Sequence, residues 1–246
     1  MLLLIDAGNT RVKWAVADEA AAIGSWQASG ALFHAELDSL VPIFKQHQPQ
    51  HVWLSNVAGE LMRARLEQLL LEHLVPTPAL TWFRSCAQLA GVINRYRDPG
   101  QLGCDRFASL LGARSLFEQR SLLIVTAGTA TTIDALDASG QFLGGMILPG
   151  LGTMAQSLAL STAQLPQVET QWSGKHFADN TPDAIISGCV QAQVGAIMQA
   201  RAQVPEALCL LSGGAAQYLL PYVPPPIELA EQLVLRGLHV AARSES

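Results

Sequence analysis

Short aliphatic runs alternate along this chain with stretches of helical periodicity. Residues 2–5 form a continuous apolar run, which is typical of a buried strand, and residues 12–17 follow a Gly-Asn turn as its hairpin partner. The pattern then predicts strands at 23–28, 51–57 and 80–83 and helices at 33–47 and 59–74. The first half of the chain is therefore predicted to be a strand hairpin followed by alternating helices and strands.

The same plan returns in the second half. A strand at 122–126, a turn at Gly128 and a strand at 131–136 repeat the opening hairpin. The pattern after it predicts a strand at 141–148, helices at 151–160 and 183–202, a strand at 208–211 and a closing helix at 231–243. We therefore expect an α/β protein built from two copies of one unit, residues 1–118 and 119–246.

Composition narrows the function classes. The 246 residues are half hydrophobic, and 15 basic against 20 acidic residues give a net charge of −5 without a cluster of lysine or arginine. This balance argues against nucleic acid as a partner. The four cysteines form no C-x-x-C pair, and no apolar stretch is long enough to span a membrane, so we expect a soluble cytoplasmic protein with reduced thiols.

The two glycine hairpins suggest a nucleotide site. Glycine lets the backbone approach a phosphate closely, Asp6 suits Mg²⁺, and Lys13 is placed to reach a phosphate. The alternative is that Asp6 and Asn9 are ordinary turn-forming residues. Two hairpins in corresponding places, together with the Ser-Gly-Gly turn at 212–214, favour nucleotide binding in a cleft between the two units.

The segment YRDPGQLGCDR, residues 96–106, offers a second kind of chemistry. Its second half begins a predicted helix with the adjacent pair Asp105 and Arg106. Asp105 can be a helix cap, or it can accept the proton of a substrate hydroxyl that attacks a γ-phosphate while Arg106 anchors an anionic group. The local pattern leaves both interpretations open.

Six segments together resemble type III pantothenate kinases. They are DAGNTRVKW, YRDPGQLGCDR, GTATTID, GGMILPGL, NTPDAIISG and LVLRGL, and they follow the order of that family along nearly the whole chain. The resemblance implies two ribonuclease-H-like (actin-like) domains and transfer of the γ-phosphoryl group of ATP to pantothenate. It also implies Mg²⁺ as a cofactor, a homodimer, and a role in the first step of coenzyme A biosynthesis.

The resemblance also assigns residues by position. It implies ATP binding by Asp6, Ala7, Gly8, Asn9, Thr10, Arg11, Val12 and Lys13 in the first hairpin and by Thr129 in the second. It implies Asp105 as the general base, with Tyr96, Gly103, Cys104, Arg106 and Thr181 lining the pantothenate pocket, Thr181 from the partner subunit. Asp6 is the residue expected near Mg²⁺.

One position departs from the family pattern. Thr126 stands where the family has an aspartate that binds an activating monovalent cation. A neutral threonine offers oxygen ligands without charge, so we expect K⁺ or NH₄⁺ to be held more weakly there. Asp134 is retained, either as a second residue near Mg²⁺ or as a strand-end residue.

Two other functions compete with the kinase. A regulatory protein of the same fold can bind nucleotide without phosphorylating a substrate, but it has no need for Asp105, Arg106 and Tyr96 together. A sugar or acetate kinase of the same superfamily is disfavoured by the short chain and by the LGCDR segment.

Overall fold

The computed structural model describes residues 1–168 and 176–244. Its strands are β1 (Leu2–Ala7), β2 (Arg11–Ala17), β3 (Ala28–Phe33), β4 (His51–Asn56), β5 (Ala79–Trp82), β6 (Gln88–Leu89), β7 (Val92–Asn94), β8 (Leu122–Ala127), β9 (Ala130–Leu136), β10 (Gln141–Pro149), β11 (Leu208–Ser212) and β12 (Ile227–Leu229). Its α-helices are α1 (Val41–His47), α2 (Glu60–His73), α3 (Cys104–Leu116), α4 (Leu151–Ser161), α5 (Thr181–Gln203), α6 (Ala216–Leu219) and α7 (Leu233–Ser244). The chain divides into two compact units, unit 1 being Met1–Glu118 with Gln232–Ser246 and unit 2 being Gln119–Glu231.

The sheet of unit 1 has the strand order β3-β2-β1-β4-β5. β1 pairs with β2 antiparallel and with β4 parallel, and β4 pairs with β5 parallel. Leu3 and Ile5 face a core shared with Phe44 of α1 and Leu66 of α2. Because side chains alternate along a strand, Leu4 and Asp6 point to the opposite face. α3 and α7 contact the sheet, and β1 is buried along its whole length.

Unit 2 repeats this topology. Its strands run in the order β10-β9-β8-β11-β12, with β8–β9 and β9–β10 antiparallel and β8–β11 and β11–β12 parallel. Val125 and Ala127 of β8 pack in a core with Val190 and Ile197 of α5. The prediction of an α/β protein with two copies of one unit is confirmed by this shared strand order.

The closing helix differs from the sequence expectation. We expected residues 119–246 to form one domain, whereas the structure groups α7 with unit 1. α7 packs along α3 because two glycines allow close contact: a Cβ on Gly112 would overlap the carbonyl oxygen of Leu233, and one on Gly237 would overlap that of Ala108. Leu235 and Leu238 are fully buried on this helix.

Two other elements also differ. The third strand is Ala28–Phe33 rather than 23–28, and the predicted helix over 33–47 is a 3₁₀-helix at His34–Leu40 followed by α1. The carbonyl oxygens of Ala21 and Ile23 accept hydrogen bonds of 3.2 Å from Arg243 and Arg236 of α7. A tertiary contact thus holds this segment in place of strand pairing. Among the described residues, no helix is both long enough and apolar enough to cross a membrane.

Candidate active site

The carboxyl ends of β1 and β4 meet the first turn of α3 within unit 1. Asp6 and Ser55 are register partners in the parallel pair, and the Ser55 hydroxyl lies near enough to the Asp6 carboxyl group to lower its pKa. Ser55 Oγ lies 3.4 Å from Sγ of Cys104, and that thiol donates to the carbonyl oxygen of Asn56 at 3.6 Å. The contacts place the start of α3 against the ends of both strands.

Asp6 is a buried carboxyl group with a strongly perturbed pKa. Burial raises its pKa from the ordinary value of 3.8 to about 7, and the nearby Asp105 adds to the rise. Lys13, its register partner in β2, and the hydrogen bond from Ser55 act in the opposite direction. Burial therefore destabilises the ionised form of Asp6, and a cation bound beside it would offset this effect.

Asp105 sits in the first turn of α3 without being its cap. Gly103 is the N-cap residue, and Oδ1 of Asp105 accepts a hydrogen bond of 2.8 Å from the backbone N–H of Arg106. A Cβ at Gly103 would lie 2.7 Å from that oxygen, so the glycine leaves room for the carboxylate. Burial raises the pKa of Asp105, while Arg106 opposes the rise. Asp105 is thus not the N-cap residue, although one of its oxygens accepts from an N–H of the first turn of α3.

Arg106 and Tyr96 form a pair beside this carboxylate. Arg106 is buried, and its Nη1 donates a hydrogen bond of 3.0 Å to the Tyr96 hydroxyl. The guanidinium carbon lies 5.8 Å from the centroid of the tyrosine ring. Burial also raises the pKa of the Cys104 thiol, so this neighbour is a neutral wall residue at neutral pH. A buried guanidinium in such surroundings suits a carboxylate ligand.

The first glycine hairpin presents backbone and polar groups at its tip. The Gly8 N–H donates to the Arg11 carbonyl oxygen at 3.1 Å, and Nε2 of His34 lies 2.8 Å from the Gly8 carbonyl oxygen. Asn9, Thr10 and Arg11 are exposed at this tip. Ala7 and Val12 are fully buried in the core, so their side chains are not available to a ligand.

The second hairpin has the same form in unit 2. The Thr129 carbonyl oxygen accepts hydrogen bonds from the Gly150 N–H at 2.9 Å and from the Thr153 hydroxyl at 2.8 Å. Gly150 is required because a Cβ there would overlap the Gly128 carbonyl oxygen. At the end of β11, Gly213 has a φ of 91° and passes close to the backbone of Ala127. These contacts fix the Ser-Gly-Gly turn against the second hairpin.

Thr126 is the topological counterpart of Asp6. Each residue lies two positions before a turn glycine, in β8 and β1 respectively. Thr126 pairs in register with Ser212 of β11 and Thr132 of β9, as Asp6 pairs with Ser55 of β4 and Lys13 of β2. An acid, a lysine and a serine in unit 1 thus correspond to three hydroxyl residues in unit 2. Asp134 of β9 is buried on the same hairpin.

Thr181 lies at the start of α5 in unit 2. Asn180 caps this helix, with its side-chain oxygen accepting from the Asp183 N–H at 3.0 Å. Thr181 lines a cavity of about 770 Å³ together with Leu158 of α4 and Ile185 of α5. Thr181 belongs to unit 2. The other residues predicted for the substrate pocket belong to unit 1, namely Tyr96, Gly103, Cys104, Asp105 and Arg106.

A divalent cation fits the donors around Asp6. Among residues 1–168 and 176–244, no three His, Cys, Asp or Glu side chains converge as a complete metal site. Mg²⁺ that arrives with a phosphate ligand needs only one or two carboxylates from the protein. The buried carboxyl group of Asp6, with its raised pKa, is a group that such a cation would stabilise.

Three further residues shape this region without a clear signal in the sequence. Ser55 is fully buried inside an apolar strand, where a single serine gives no local signal. His34 supports the hairpin tip from a 3₁₀-helix, and Asn94 lies in a strand of three residues. Only its position two residues before Tyr96 could have drawn attention to Asn94.

Comparison with known proteins identifies the family. The family model for type III pantothenate kinase matches residues 2–203. A type III pantothenate kinase from Janthinobacterium sp. (strain Marseille) is 49% identical over 257 residues, covering 100% of this chain and 99% of the relative.

Two solved structures share the fold. One, from Sinorhizobium meliloti and assigned as a 2-dehydro-3-deoxygalactonokinase, has a TM-score of 0.62 at 14% identity, covering 100% of this chain and 99% of the other. The other, from Campylobacter jejuni and assigned to the Baf family of transcriptional activators, has a TM-score of 0.61 at 22% identity, covering 96% and 94%. At these identities the likeness concerns the fold alone.

The two α/β units and the family model together define a kinase. Within that class, the chain belongs to the type III pantothenate kinase family. The predictions of fold class, family and enzyme class from the sequence are confirmed. The roles of individual residues stay predictions.

Proposed function

We propose that this chain transfers the γ-phosphoryl group of ATP to the terminal hydroxyl of pantothenate, giving 4′-phosphopantothenate. The observation that carries the proposal is the arrangement at the start of α3. Asp105 stands next to the buried Arg106, whose guanidinium donates to Tyr96 at 3.0 Å, and it lies close enough to Asp6 to raise that residue's pKa. The family of the chain agrees with this chemistry.

Asp105 is proposed as the general base. Phosphoryl transfer to an alcohol depends mainly on positioning and charge neutralisation, and the proton can leave late. The hydrogen bond from the Arg106 N–H fixes one carboxylate oxygen, which leaves the other to accept the proton from the substrate hydroxyl. Because burial raises its pKa, this carboxylate is a better proton acceptor than an exposed aspartate.

The pantothenate pocket is proposed to surround the same turn. The guanidinium of Arg106 anchors the substrate carboxylate, and the ring of Tyr96 packs on the chain of the substrate. Gly103 and Cys104 contribute small, neutral wall groups at the helix start. The N-terminus of α3 adds positive potential for an anionic substrate.

The phosphates of ATP are proposed to lie against the two glycine hairpins. In residues 6–13, the exposed Asn9 and Thr10 offer hydrogen-bond donors and Lys13 supplies charge. The Gly8 N–H already donates to Arg11, so Gly8 contributes a close approach of the backbone instead. Ala7 and Val12 contribute backbone only, since their side chains are buried. Thr129 takes the corresponding place in the second hairpin.

Asp6 is proposed as the protein group nearest to Mg²⁺. When bound, the cation spreads the negative charge of the phosphates. Asp6 contributes a fixed carboxylate for it, and Lys13 and Ser55 keep that carboxylate oriented.

Thr126 is proposed to weaken the dependence on monovalent cations. Its register partners Thr132 and Ser212 are neutral, so the residues aligned with it supply no charge to K⁺ or NH₄⁺. We expect turnover without these ions and a modest further gain with them.

A homodimer is part of the proposal. Unit 2 exposes large apolar side chains, among them Ile147 at 65%, Leu160 at 79% and Phe177 at 97%. Contiguous apolar patches mark protein interfaces, and we propose that these side chains face the second copy. A second copy would also supply Thr181 to the substrate pocket. The four free cysteines agree with a cytoplasmic location.

A coupled assay of ADP release tests the proposal. Purified protein is given ATP, Mg²⁺ and pantothenate, with K⁺, with NH₄⁺ and without either ion. We expect pantothenate-dependent ADP release in all three reactions. Absence of turnover under every condition would reject the kinase and favour the nucleotide-binding regulator.

A further inference from the structure

We propose that Asn94 is a positioning residue that sets the place of Tyr96 and thereby the affinity for pantothenate. This inference rests on the proposed function. Asn94 ends β7 and is 5% exposed, and it precedes the turn that carries Tyr96. Its side-chain amide bonds backbone groups rather than Asp105 or Arg106, so it acts through the residues that it holds.

The side-chain amide of Asn94 uses all of its main hydrogen-bonding groups. Its Oδ1 accepts from the backbone N–H of Tyr96 at 3.1 Å. Its Nδ2 donates to the carbonyl oxygens of Pro99 at 3.0 Å and Cys86 at 3.3 Å. One planar group thus binds both ends of the Tyr96–Pro99 turn and ties the turn to a neighbouring segment.

The chemistry of this position selects asparagine. The Tyr96 N–H needs an acceptor, while two carbonyl oxygens need donors, and a primary amide provides both. Aspartate would keep the acceptor but place a second oxygen against the carbonyl oxygens of Cys86 and Pro99. An apolar residue would leave three backbone groups without this partner.

The effect reaches the substrate pocket through Tyr96. Its hydroxyl accepts the hydrogen bond from Nη1 of Arg106, so a displaced Tyr96 also loosens the guanidinium. Asp105 is held separately, because Leu102 is buried just before α3 and Cys104 contacts Ser55 of β4. A change at Asn94 should therefore affect substrate binding more than the chemical step.

Steady-state kinetics of Asn94→Ala test the inference. We expect the KM for pantothenate to rise by about 10-fold or more, kcat to change by less than about 3-fold, and ATP affinity measured by calorimetry to stay within about 2-fold. Asp137→Ala is the matched control, since Asp137 holds the β9–β10 turn by accepting from Gln141 N–H at 2.8 Å and Ser139 at 2.7 Å. The control should leave all three values near those of the wild type.

A double-mutant cycle with Tyr96→Ala separates positioning from a structural role. If Asn94 acts through Tyr96, then Asn94→Ala adds little to the KM of the Tyr96→Ala variant. Additive effects, or an unchanged KM in the single variant, would overturn the inference. Asn94→Ser, which keeps one donor, is used if Asn94→Ala does not fold. A wild-type protein that binds ATP but does not phosphorylate pantothenate would reject the proposed function instead.

Discussion

The Ser55 hydroxyl and the Cys104 thiol meet at 3.4 Å between Oγ and Sγ. This contact joins the carboxyl end of β4 to the first residue of α3. Asp6 pairs in register with Ser55, and Asp105 follows directly after Cys104. The sheet and the helix therefore fix two carboxylates with distinct proposed roles, one near the metal and phosphates and one near the substrate hydroxyl.

Asp105→Asn should lower kcat by about 10²- to 10⁴-fold, since the amide cannot accept the substrate proton. The substitution preserves shape and a side-chain oxygen for the Arg106 N–H. ATP affinity, measured by calorimetry, should survive. A variant with near-normal kcat would show that Asp105 is not the base.

Arg106→Ala should act mainly through the KM for pantothenate, because the variant loses the anchor for the substrate carboxylate. We expect an increase of about 100-fold, with a smaller loss in kcat. Tyr96→Phe is the companion variant, as it removes only the hydroxyl that accepts from Arg106. Its increase in KM should be smaller. An Arg106→Ala variant that loses kcat at unchanged KM would contradict the anchor role.

Asp6→Asn should stabilise the ligand-free protein at high pH. The folded-state pKa of Asp6 is raised to about 7 from 3.8, so its contribution to stability is present at low pH and is lost as the pH rises through this window. The change in pKa from 3.8 to about 7 corresponds to about 4 kcal/mol in the free energy of unfolding between low and high pH. Denaturant unfolding should therefore show a larger gain for Asp6→Asn at pH 8 than at pH 5, together with loss of turnover. An equal gain at the two pH values would contradict the raised pKa.

Gly237→Ala should destabilise the protein, because the new Cβ would overlap the Ala108 carbonyl oxygen where α7 crosses α3. We expect a loss of about 1–3 kcal/mol in the free energy of unfolding. Gly195→Ala in α5 is the control, since no atom lies within 4 Å of its added Cβ. That change should stabilise the helix by about 1 kcal/mol. Similar melting shifts for the two variants would argue against the close helix packing.

The opening hairpin could be predicted from local pattern, because its aliphatic run, glycine turn and acid are contiguous in residues 2–8. The repeat of the plan at β8 and β9 could be predicted for the same reason. Ser55 could not, since its role arises from register with Asp6 across a parallel pair. The assignment of α7 to unit 1 also depends on contacts between residues far apart in sequence, such as Gly237 and Ala108.

In the candidate site, too, some features could be predicted from the sequence and others arise only from the fold. Asp105 and Arg106 are adjacent, so their pairing could be predicted, and Tyr96 is only ten positions away. Asn94 bonds three backbone groups that the turn brings around it, and this arrangement exists only in the folded chain. The third strand was misplaced because α7, rather than a strand partner, holds residues 21–23.

Phosphoryl transfer to pantothenate is tested by identifying the product. The wild-type protein and Asp105→Asn are incubated with ATP, Mg²⁺ and pantothenate, and the mixtures are followed by phosphorus NMR and mass spectrometry. We expect the wild type to form a new phosphomonoester with the mass of 4′-phosphopantothenate in step with ADP, and the variant to form almost none. ADP without phosphorylated pantothenate, or no turnover with any monovalent cation, would contradict phosphoryl transfer to pantothenate.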